Sequence, residues 1–250
     1  MRIAVIGGTG LIGSRVVRQL LEQGHDTVAA SPTTGVDTLT RQGLDAALTG
    51  TDVVIDVSKP PSMDGPAASE FFTLSTSNLL DGEAAAGVKH HVALSVVGID
   101  RMQASGYFHA KLQQEAAIRS GPIPHTIIRS TQFFEFIDTI VNRATNGDTV
   151  TVPPILVQPI AANDVASIIA DTAASSPRNE LVEIAGPDLF RLDELVGKLL
   201  HAQHDQRQVA DDRRALYFGW VPVTERTLLP DSVVALGTTH FNDWLTSGDQ

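Results

Sequence analysis

Hydrophobic positions along the chain form short β-branched runs that alternate with longer stretches of helical periodicity. We predict strands at 3–6, 27–30, 53–57, 92–95 and 126–129, with helices between them at about 11–23, 39–49, 67–87, 107–120 and 131–145. Strands that alternate with helices in this way are typical of a parallel sheet covered on both faces. We therefore expect an α/β fold, a Rossmann-type doubly wound parallel sheet.

The segment between the second predicted strand and Val53 is short. It holds about twenty residues, too few for a helix, a strand and another helix at full length. We expect Val36 and Asp37 to form a stub of a third strand, with one helix missing.

The pattern changes after residue 148. We predict a strand at 149–152 that ends at Pro153, a helix opened by Asn163 and Asp164, a strand at 181–185 and an amphipathic helix at 192–200. We expect 1–150 to form the sheet domain and 151–250 a small C-terminal lobe, the two making one structural unit. Trp220 and Trp244 are expected to be packing anchors.

Composition narrows the classes of protein to which the chain can belong. Hydrophobic residues make up 42% of the 250 residues, which is enough for a packed core. The net charge of -11 argues against a broad surface for nucleic acid. The absence of cysteine excludes disulfides and thiolate chemistry. A strand that starts at residue 2 leaves no room for a leader, and no apolar run is long enough for a membrane span, so we expect a cytoplasmic protein.

A glycine-rich turn follows the first predicted strand. Its glycines fit both Gly7-x-x-Gly10-x-x-Gly13 and Gly8-x-Gly10-x-x-Gly13, and a helix follows. The pyrophosphate of a dinucleotide binds at such a turn, because glycine lets the backbone approach closely and the helix N-terminus offers free N–H groups. The pattern predicts that the chain binds NAD or NADP. An ordinary glycine-rich turn is the alternative.

The choice between the two cofactors depends on the end of the second predicted strand. Sites for NAD usually carry Asp or Glu there to accept a ribose hydroxyl. This chain has Ser31-Pro32-Thr33-Thr34 instead, which favours NADP and leaves NAD open, since the next arginine is Arg41. The predicted cofactor contacts are Gly7, Thr9, Gly10, Leu11, Ile12, Gly13, Ser31, Thr33, Val57, Ser58 and Lys111.

A candidate catalytic pair follows the strand predicted at 92–95. Tyr107 and Lys111 are four residues apart and share one face of a helix. An adjacent ammonium favours the ionised form of a phenol, so we expect Lys111 to lower the pKa of Tyr107 towards neutral pH. Ser95, at the carboxyl end of the strand, could hold a substrate oxygen. A solvated helix face is the alternative interpretation of the pair.

These elements together resemble the short-chain dehydrogenase/reductase superfamily, in particular its atypical, NmrA-like branch. The matching parts are the glycine turn, Ser95-Val96-x-Gly98 and Tyr107-x-x-x-Lys111, with further similarity at 78–89 and at 127–134. The resemblance covers residues 1 to about 175. It implies a serine–tyrosine–lysine site beside the nicotinamide, with Tyr107 as proton donor or acceptor. Ser95 and Tyr107 stand one residue closer together than in the common short-chain enzymes.

Three functions fit these residues. The first is an NAD(P)-dependent oxidoreductase that reduces a small carbonyl or quinone, with the C-terminal lobe completing the substrate cleft. The second is an NADP(H)-binding redox sensor without turnover. The resemblance implies this alternative, because many NmrA-like members have lost the tyrosine and act as cofactor sensors, whereas the pair kept in this chain favours an enzyme. The third is epimerisation or dehydration of a sugar nucleotide. The expected partner is a small-molecule substrate, and the sequence does not indicate an oligomeric state.

Two histidines, an aspartate and three phenylalanines have other candidate roles. We expect His90 and His91 to form a turn before the next strand rather than a metal site, since no other ligand has suitable spacing. Asp56 has either a structural role or a cofactor contact. The aromatic residues Phe133, Phe134 and Phe136 could line a substrate pocket or belong to the core.

Overall fold

The computed structural model describes residues 1–247 and contains a seven-stranded central sheet. Its strand order is β12-β9-β5-β4-β3-β1-β2. The strands of this sheet are β1 (Arg2–Ile6), β2 (Asp26–Ala30), β3 (Val53–Asp56), β4 (His90–Val96), β5 (His125–Ser130), β9 (Glu180–Ala185) and β12 (Val233–Leu236). The pairings of β1 with β2 and β3, of β3 with β4, and of β9 with β12 are parallel. The predicted doubly wound α/β fold is confirmed.

Helices separate the strands. They are α1 (Leu11–Glu22), α2 (Leu44–Leu48), α3 (Gly65–Ala86), α4 (Gly106–Ser120), α5 (Ile137–Ala144), α6 (Ala162–Ala174), α7 (Leu192–Ala202) and α8 (Phe241–Thr246). Short strands form two smaller sheets: β6 (Thr145–Asn146), β7 (Thr149–Val152) and β11 (Gln208–Asp211) in one, and β8 (Leu156–Val157) with β10 (Phe190–Arg191) in the other.

The predicted strand stub at Val36 and Asp37 is wrong. After β2 the chain enters a 3₁₀ turn at Pro32–Thr34, and the five-residue α2 is the helix that precedes β3. Val36 is buried, but it packs in a cluster with Leu44 and Leu48 of α2. Val36 is therefore hydrophobic because it packs against α2, and it does not pair with a strand.

The chain divides into two compact units. Unit 1 contains Met1–Ser95, Gly106–Arg129 and Val165–Val182, and therefore holds β1 to β3, all but the last residue of β4 and of β5, and α1 to α4. Unit 2 contains Val96–Ser105, Ser130–Asp164 and the described residues from Glu183 to Ser247. In unit 1, β1 lies between β2 and β3, and the chain continues outward from β1 in both directions. Ligands of open α/β sheets bind outside the carboxyl ends of the strands at such a switch point.

Candidate functional site

The glycine turn lies at the switch point, directly after β1. Gly7 has a φ of 80°, a conformation that side chains rarely adopt. Its N–H donates to the carbonyl of Ala30 at 2.8 Å, and the N–H of Gly10 donates to the carbonyl of Gly7 at 2.9 Å. A Cβ on Gly13 would lie 2.1 Å from that same carbonyl oxygen. The turn therefore requires glycine where the sequence pattern has it.

The start of α1 offers an anion site of the kind that a pyrophosphate needs. Leu11 begins the helix, and the N-cap residue Gly10 makes no side-chain capping bond. No acidic side chain lies in the first turn, while Ile12 and Gly13 are buried. The first N–H groups of a helix have no partner within the helix and carry its positive dipole end. The cradle fits the pyrophosphate of a dinucleotide in both shape and charge.

Four hydroxyl groups form a cluster beside this turn, which we call the hydroxyl cluster: Thr9, Ser31, Thr33 and Thr34. The hydroxyls of Ser31 and Thr33 are 2.8 Å apart, and Thr33 donates to the Thr9 hydroxyl at 3.5 Å. Thr34 accepts from the N–H of Ser31 at 2.9 Å and so closes the 3₁₀ turn. Thr9 and Thr33 are exposed, whereas Ser31 is buried. The structure thus brings together predicted contacts from two separate segments.

Arg41 is the first arginine after β2, and its guanidinium is already engaged. Its Nη2 donates to Asp45 at 2.7 Å and its Nη1 donates to the carbonyl of Asn78 at 3.2 Å. These bonds tie the loop before α2 to α3, so Arg41 has a structural role there.

The end of β3 lies against the glycine turn. A Cβ on Gly7 would lie 2.9 Å from the carbonyl oxygen of Val57 and 3.0 Å from the Cα of Ser58. The Ser58 N–H donates to Asp56 at 2.9 Å, and the other carboxylate oxygen of Asp56 accepts from Gln114 at 2.8 Å. Asp56 is buried, so both of its oxygens are used to fix the end of β3 to α4. Of the two roles weighed for Asp56, these bonds supply the structural one.

Ser95, Tyr107 and Lys111 all belong to unit 1. Ser95 lies at the carboxyl end of β4, and its Oγ is buried with no hydrogen-bond partner within residues 1–247. Tyr107 and Lys111 lie on α4, as predicted. Both contact Phe72 of α3: the two aromatic rings meet edge to face at 6.0 Å, and Lys111 Nζ lies 4.7 Å from the centre of the Phe72 ring.

The expected effect of Lys111 on Tyr107 is wrong in direction. Burial raises the pKa of the Tyr107 phenol above its ordinary value. Burial also lowers the pKa of Lys111, against the opposing charges of Asp56 and Glu115. Spacing along a helix does not reveal burial, which is the cause of the raised pKa here. The phenol is therefore held in its protonated form.

Comparison with known proteins agrees with this geometry. The sequence model of a family described as NAD(P)H-binding matches residues 7–176. The chain belongs to this NAD(P)H-binding family. The match includes the glycine turn, Ser95 and the Tyr107–Lys111 pair, and it confirms NAD(P) as the cofactor. The resemblance to the atypical short-chain dehydrogenases/reductases is confirmed with it.

Similar proteins include reductases and an assembly factor. The chain is 28% identical over 222 residues to the chloroplastic divinyl chlorophyllide a 8-vinyl-reductase of Oryza sativa subsp. indica, covering 74% of this chain and 54% of the relative. It is 29% identical over 111 residues to the photosystem II assembly factor Ycf39 of Synechocystis, covering 39% of this chain and 34% of that one. The chain thus spans about half the length of the rice relative.

A solved structure shows the same fold. MoeE5 in complex with UDP-glucuronic acid and NAD superposes with a TM-score of 0.74, covering 98% of this chain and 96% of that chain. The sequence identity is 18%, so the likeness extends to the fold alone.

Sequence reasoning missed the buried contacts that support α4 in this NAD(P)H-binding chain. Arg129 of β5 forms a bidentate pair with Glu115, at 2.9 and 2.8 Å. Gln114 reaches Asp56, and Phe72 reaches both members of the candidate pair. The polar residues Gln114 and Glu115, one turn after Lys111, were the available signal, whereas nothing in the sequence separated Phe72 from other core residues.

The predicted turn at His90 and His91 is wrong, because both residues begin β4. His91 Nδ1 lies 2.8 Å from Glu83, and His90 Nε2 lies 3.0 Å from the Thr126 hydroxyl. Within the described part of the chain, no three His, Cys, Asp or Glu side chains group as a metal would require. Both histidines are buried, and partners from distant segments make their burial possible.

The aromatic residues after β5 pack within unit 2. The Phe134 ring lies 5.1 Å from Phe241 and 5.5 Å from Trp244, and Phe134 is 1% exposed. Phe134 is therefore a core residue, and Trp244 is a packing anchor as predicted. Trp220 stacks on Phe218 but stays 37% exposed. Residues 1–247 include no helix with the length and apolar character to cross a membrane.

Proposed function

We propose that this chain is an NADP(H)-dependent oxidoreductase that reduces a small carbonyl or quinone. The observation that carries the proposal is the Ser95 hydroxyl, buried at the carboxyl end of β4 without a partner in the described residues. A buried hydroxyl without a partner costs free energy, and a substrate oxygen would satisfy it. The helix that begins eleven residues later carries a protonated phenol and a buried ammonium.

Each of the three residues has a role in this proposal. The bound cofactor supplies a hydride. Ser95 donates a hydrogen bond to the substrate oxygen and orients it. Tyr107 transfers its phenolic proton to that oxygen and regains a proton from water. Because burial raises the pKa of the Tyr107 phenol, the phenol still carries its proton before the hydride arrives, and Tyr107 acts as the donor and not as the acceptor. Lys111 binds the nicotinamide ribose through its ammonium.

The preference for NADP over NAD rests on the hydroxyl cluster. Thr9 and Thr33 expose hydroxyl groups beside the glycine turn, and no carboxylate follows β2 before Asp37. Hydroxyl groups can donate to a ribose phosphate, whereas a carboxylate would repel it. Arg41 is engaged by Asp45 and Asn78, so the proposal assigns the phosphate to hydroxyl groups and backbone amides.

Replacing Tyr107 by phenylalanine tests the oxidoreductase directly. We expect Tyr107→Phe to lower the rate of NADPH oxidation by about 10²- to 10⁴-fold, the contribution typical of a general acid. NADPH affinity should change by less than about twofold, because the ring and its packing remain. The measurement follows NADPH absorbance with a panel of small aldehydes, ketones and quinones, together with a vinyl-bearing chlorophyllide, the class named for the rice relative.

The matched control is Tyr217→Phe. The chain has 2 tyrosines, and Tyr217 is buried in unit 2. This control loses the same hydroxyl group and should oxidise NADPH at the wild-type rate. Equal rates in the wild-type protein and both variants would exclude Tyr107 as the proton donor.

A redox sensor is the second candidate function. It is favoured by the burial that raises the pKa of Tyr107, which makes the phenol a weaker acid, and by the similarity to an assembly factor over 39% of the chain. A sensor would bind NADPH, consume none with any member of the panel, and be unaffected by Tyr107→Phe. The same assay therefore separates the two functions.

A further inference from the structure

Phe72 contacts both members of the candidate catalytic pair, Tyr107 and Lys111. It lies on α3, is 1% exposed, and touches Lys111 with its face and Tyr107 with a ring-to-ring edge contact. One rigid aromatic ring thus touches both side chains. The backbone of α4 sets the spacing of Tyr107 and Lys111, and the Phe72 ring meets the side chains of both.

The close approach of α3 and α4 makes this arrangement possible. Gly65 and Gly106 begin the two helices, and a Cβ on Gly106 would lie 2.7 Å from the Cα of Gly65. The two backbones therefore meet with no side chain between them. Phe72 lies two turns beyond Gly65, and Lys111 lies a little more than one turn beyond Gly106. At this helix separation the Phe72 ring reaches the Lys111 ammonium.

A buried ammonium needs compensation for the water it loses. An aromatic face within about 6 Å supplies part of it through the negative charge at the centre of the ring. The charged groups around Lys111 are Asp56 on β3 and Glu115 on its own helix, which favour the ammonium, and His91 on β4, which opposes it when protonated. Tyr107 is the other titratable group, one turn away on α4. The Phe72 ring lies 4.7 Å from the nitrogen.

We propose that Phe72 is a positioning residue that holds the Lys111 ammonium over its ring face and thereby fixes Lys111 relative to Tyr107. This inference rests on the proposed function, since it assigns Phe72 to the site where Tyr107 and Lys111 act. Phe72 touches neither substrate nor cofactor in this proposal. It acts through Lys111.

Stepwise fluorination of the Phe72 ring tests the proposal without changing the packing. Mono-, di- and trifluorinated phenylalanine at position 72 progressively remove the negative charge from the ring face and add little volume. The readout is the titration of Lys111 Nζ by NMR, with lysine side chains labelled; the chain has four lysines: Lys59, Lys89, Lys111 and Lys198. We expect the titration midpoint of Lys111 to fall stepwise, by about one pH unit over the series.

Phe71 supplies the matched control. Its ring meets Phe72 edge to face at 5.4 Å, and the same fluorinated series at position 71 should leave the Lys111 midpoint unchanged. Equal thermal unfolding midpoints across both series would show that the fold is intact. A Lys111 midpoint that is the same for every ring at position 72 would overturn the proposal, as would equal trends at positions 71 and 72.

The two proposals fail separately. The lysine titration needs neither substrate nor turnover, so it reports on Phe72 whatever the outcome of the Tyr107→Phe assay. A flat fluorination series with an inactive Tyr107→Phe variant would remove Phe72 from the site and leave the oxidoreductase standing. A stepwise series with an unaffected Tyr107→Phe variant would establish the ring contact and remove the proposed chemistry.

Discussion

The backbone of the glycine turn is packed too closely to accept a side chain at Gly13. The carbonyl oxygen of Gly7 accepts the N–H of Gly10 and would lie 2.1 Å from a Cβ on Gly13. A backbone atom cannot move aside as a side-chain terminus can. The close packing that forms the cradle therefore also means that a single added methyl group disrupts it.

We predict opposite effects for two glycine-to-alanine changes. Gly13→Ala should lower the free energy of unfolding by about 1–3 kcal/mol through overpacking and weaken NADPH binding severely. Gly197→Ala, in α7 with nothing near its added methyl group, should raise it by about 0.5–1 kcal/mol and leave binding unchanged. Urea unfolding and NADPH titration measure both. A Gly13→Ala variant that binds NADPH as the wild type does would contradict the assignment of the cradle.

A single carboxylate in the hydroxyl cluster should reverse the cofactor preference. Thr33→Asp places a negative charge beside Thr9 and Ser31, so we expect NADPH affinity to fall at least about tenfold while NADH affinity rises. Thr73→Asp, at an exposed position of α3, carries the same charge and should change neither affinity. The measurement is the dissociation constant of each nucleotide for the wild-type protein and both variants. An equal loss of NADPH affinity in both variants would show that net charge, and not the position of the carboxylate, causes the loss.

Some features of single residues in the candidate site could be predicted from the sequence and others could not. The glycine spacing and the Ser95, Tyr107 and Lys111 positions could be found from the sequence, because each follows from a local pattern. The pKa direction of Tyr107 could not, because it depends on burial against a ring from α3. Contacts between residues that are distant in the sequence cannot be inferred from residue spacing.

At the level of elements, β4 begins with two buried histidines that respond oppositely to pH. Burial lowers the pKa of His90 from 6.5 to about 4, with His91 and His125 adding to the effect. The pKa of His91 is raised, because the charge of Glu83 and its hydrogen bond outweigh burial. His91 stabilises the fold fully below its unfolded pKa and loses that effect as the pH rises through its folded value. His90 behaves in the opposite way.

The lowered pKa of His90 predicts that the protein becomes less stable as the pH falls. Between pH 6.5 and 4 the unfolded chain binds a proton at His90 that the folded chain does not, so the free energy of unfolding falls as the pH falls. His90→Gln, which keeps a polar group near Thr126, should lose less stability than the wild type over this range. His201→Gln, at an exposed position of α7, should follow the wild type. Urea unfolding at several pH values measures this, and identical pH dependence in all three proteins would refute it.

Element prediction succeeded where hydrophobic runs were long and failed where a residue's partner is distant. The runs at β1, β3, β4 and β5 could be assigned because a central parallel strand is apolar on both faces, while β2 lies at the edge of the sheet and was assigned from its short β-branched run. The stub at Val36 failed because a buried valine under a short helix looks like a strand residue. The turn at His90 failed because Glu83 and Thr126 make polar residues acceptable inside a strand.

At the level of the whole molecule, the topology determines which parts of the sequence can meet. The order β3-β1-β2 brings the turn after β1 between the ends of its neighbours, so Gly7 contacts Ala30 and lies against Val57 and Ser58. Alternating strands and helices predicted a doubly wound parallel sheet from the sequence, but not this strand order. The division into two units of interleaved segments did not follow from the pattern, since a compact unit can contain distant stretches of chain.

We propose that the cradle after β1 holds NADP(H) and that the hydroxyl cluster selects it over NAD(H). The most direct test is titration of the purified chain with NADPH and with NADH, followed by nucleotide fluorescence. We predict saturable binding of both nucleotides, with NADPH bound about tenfold more tightly through hydrogen bonds to its additional phosphate. Stronger binding of NADH would contradict the role of the hydroxyl cluster, and binding of neither nucleotide would contradict the account as a whole.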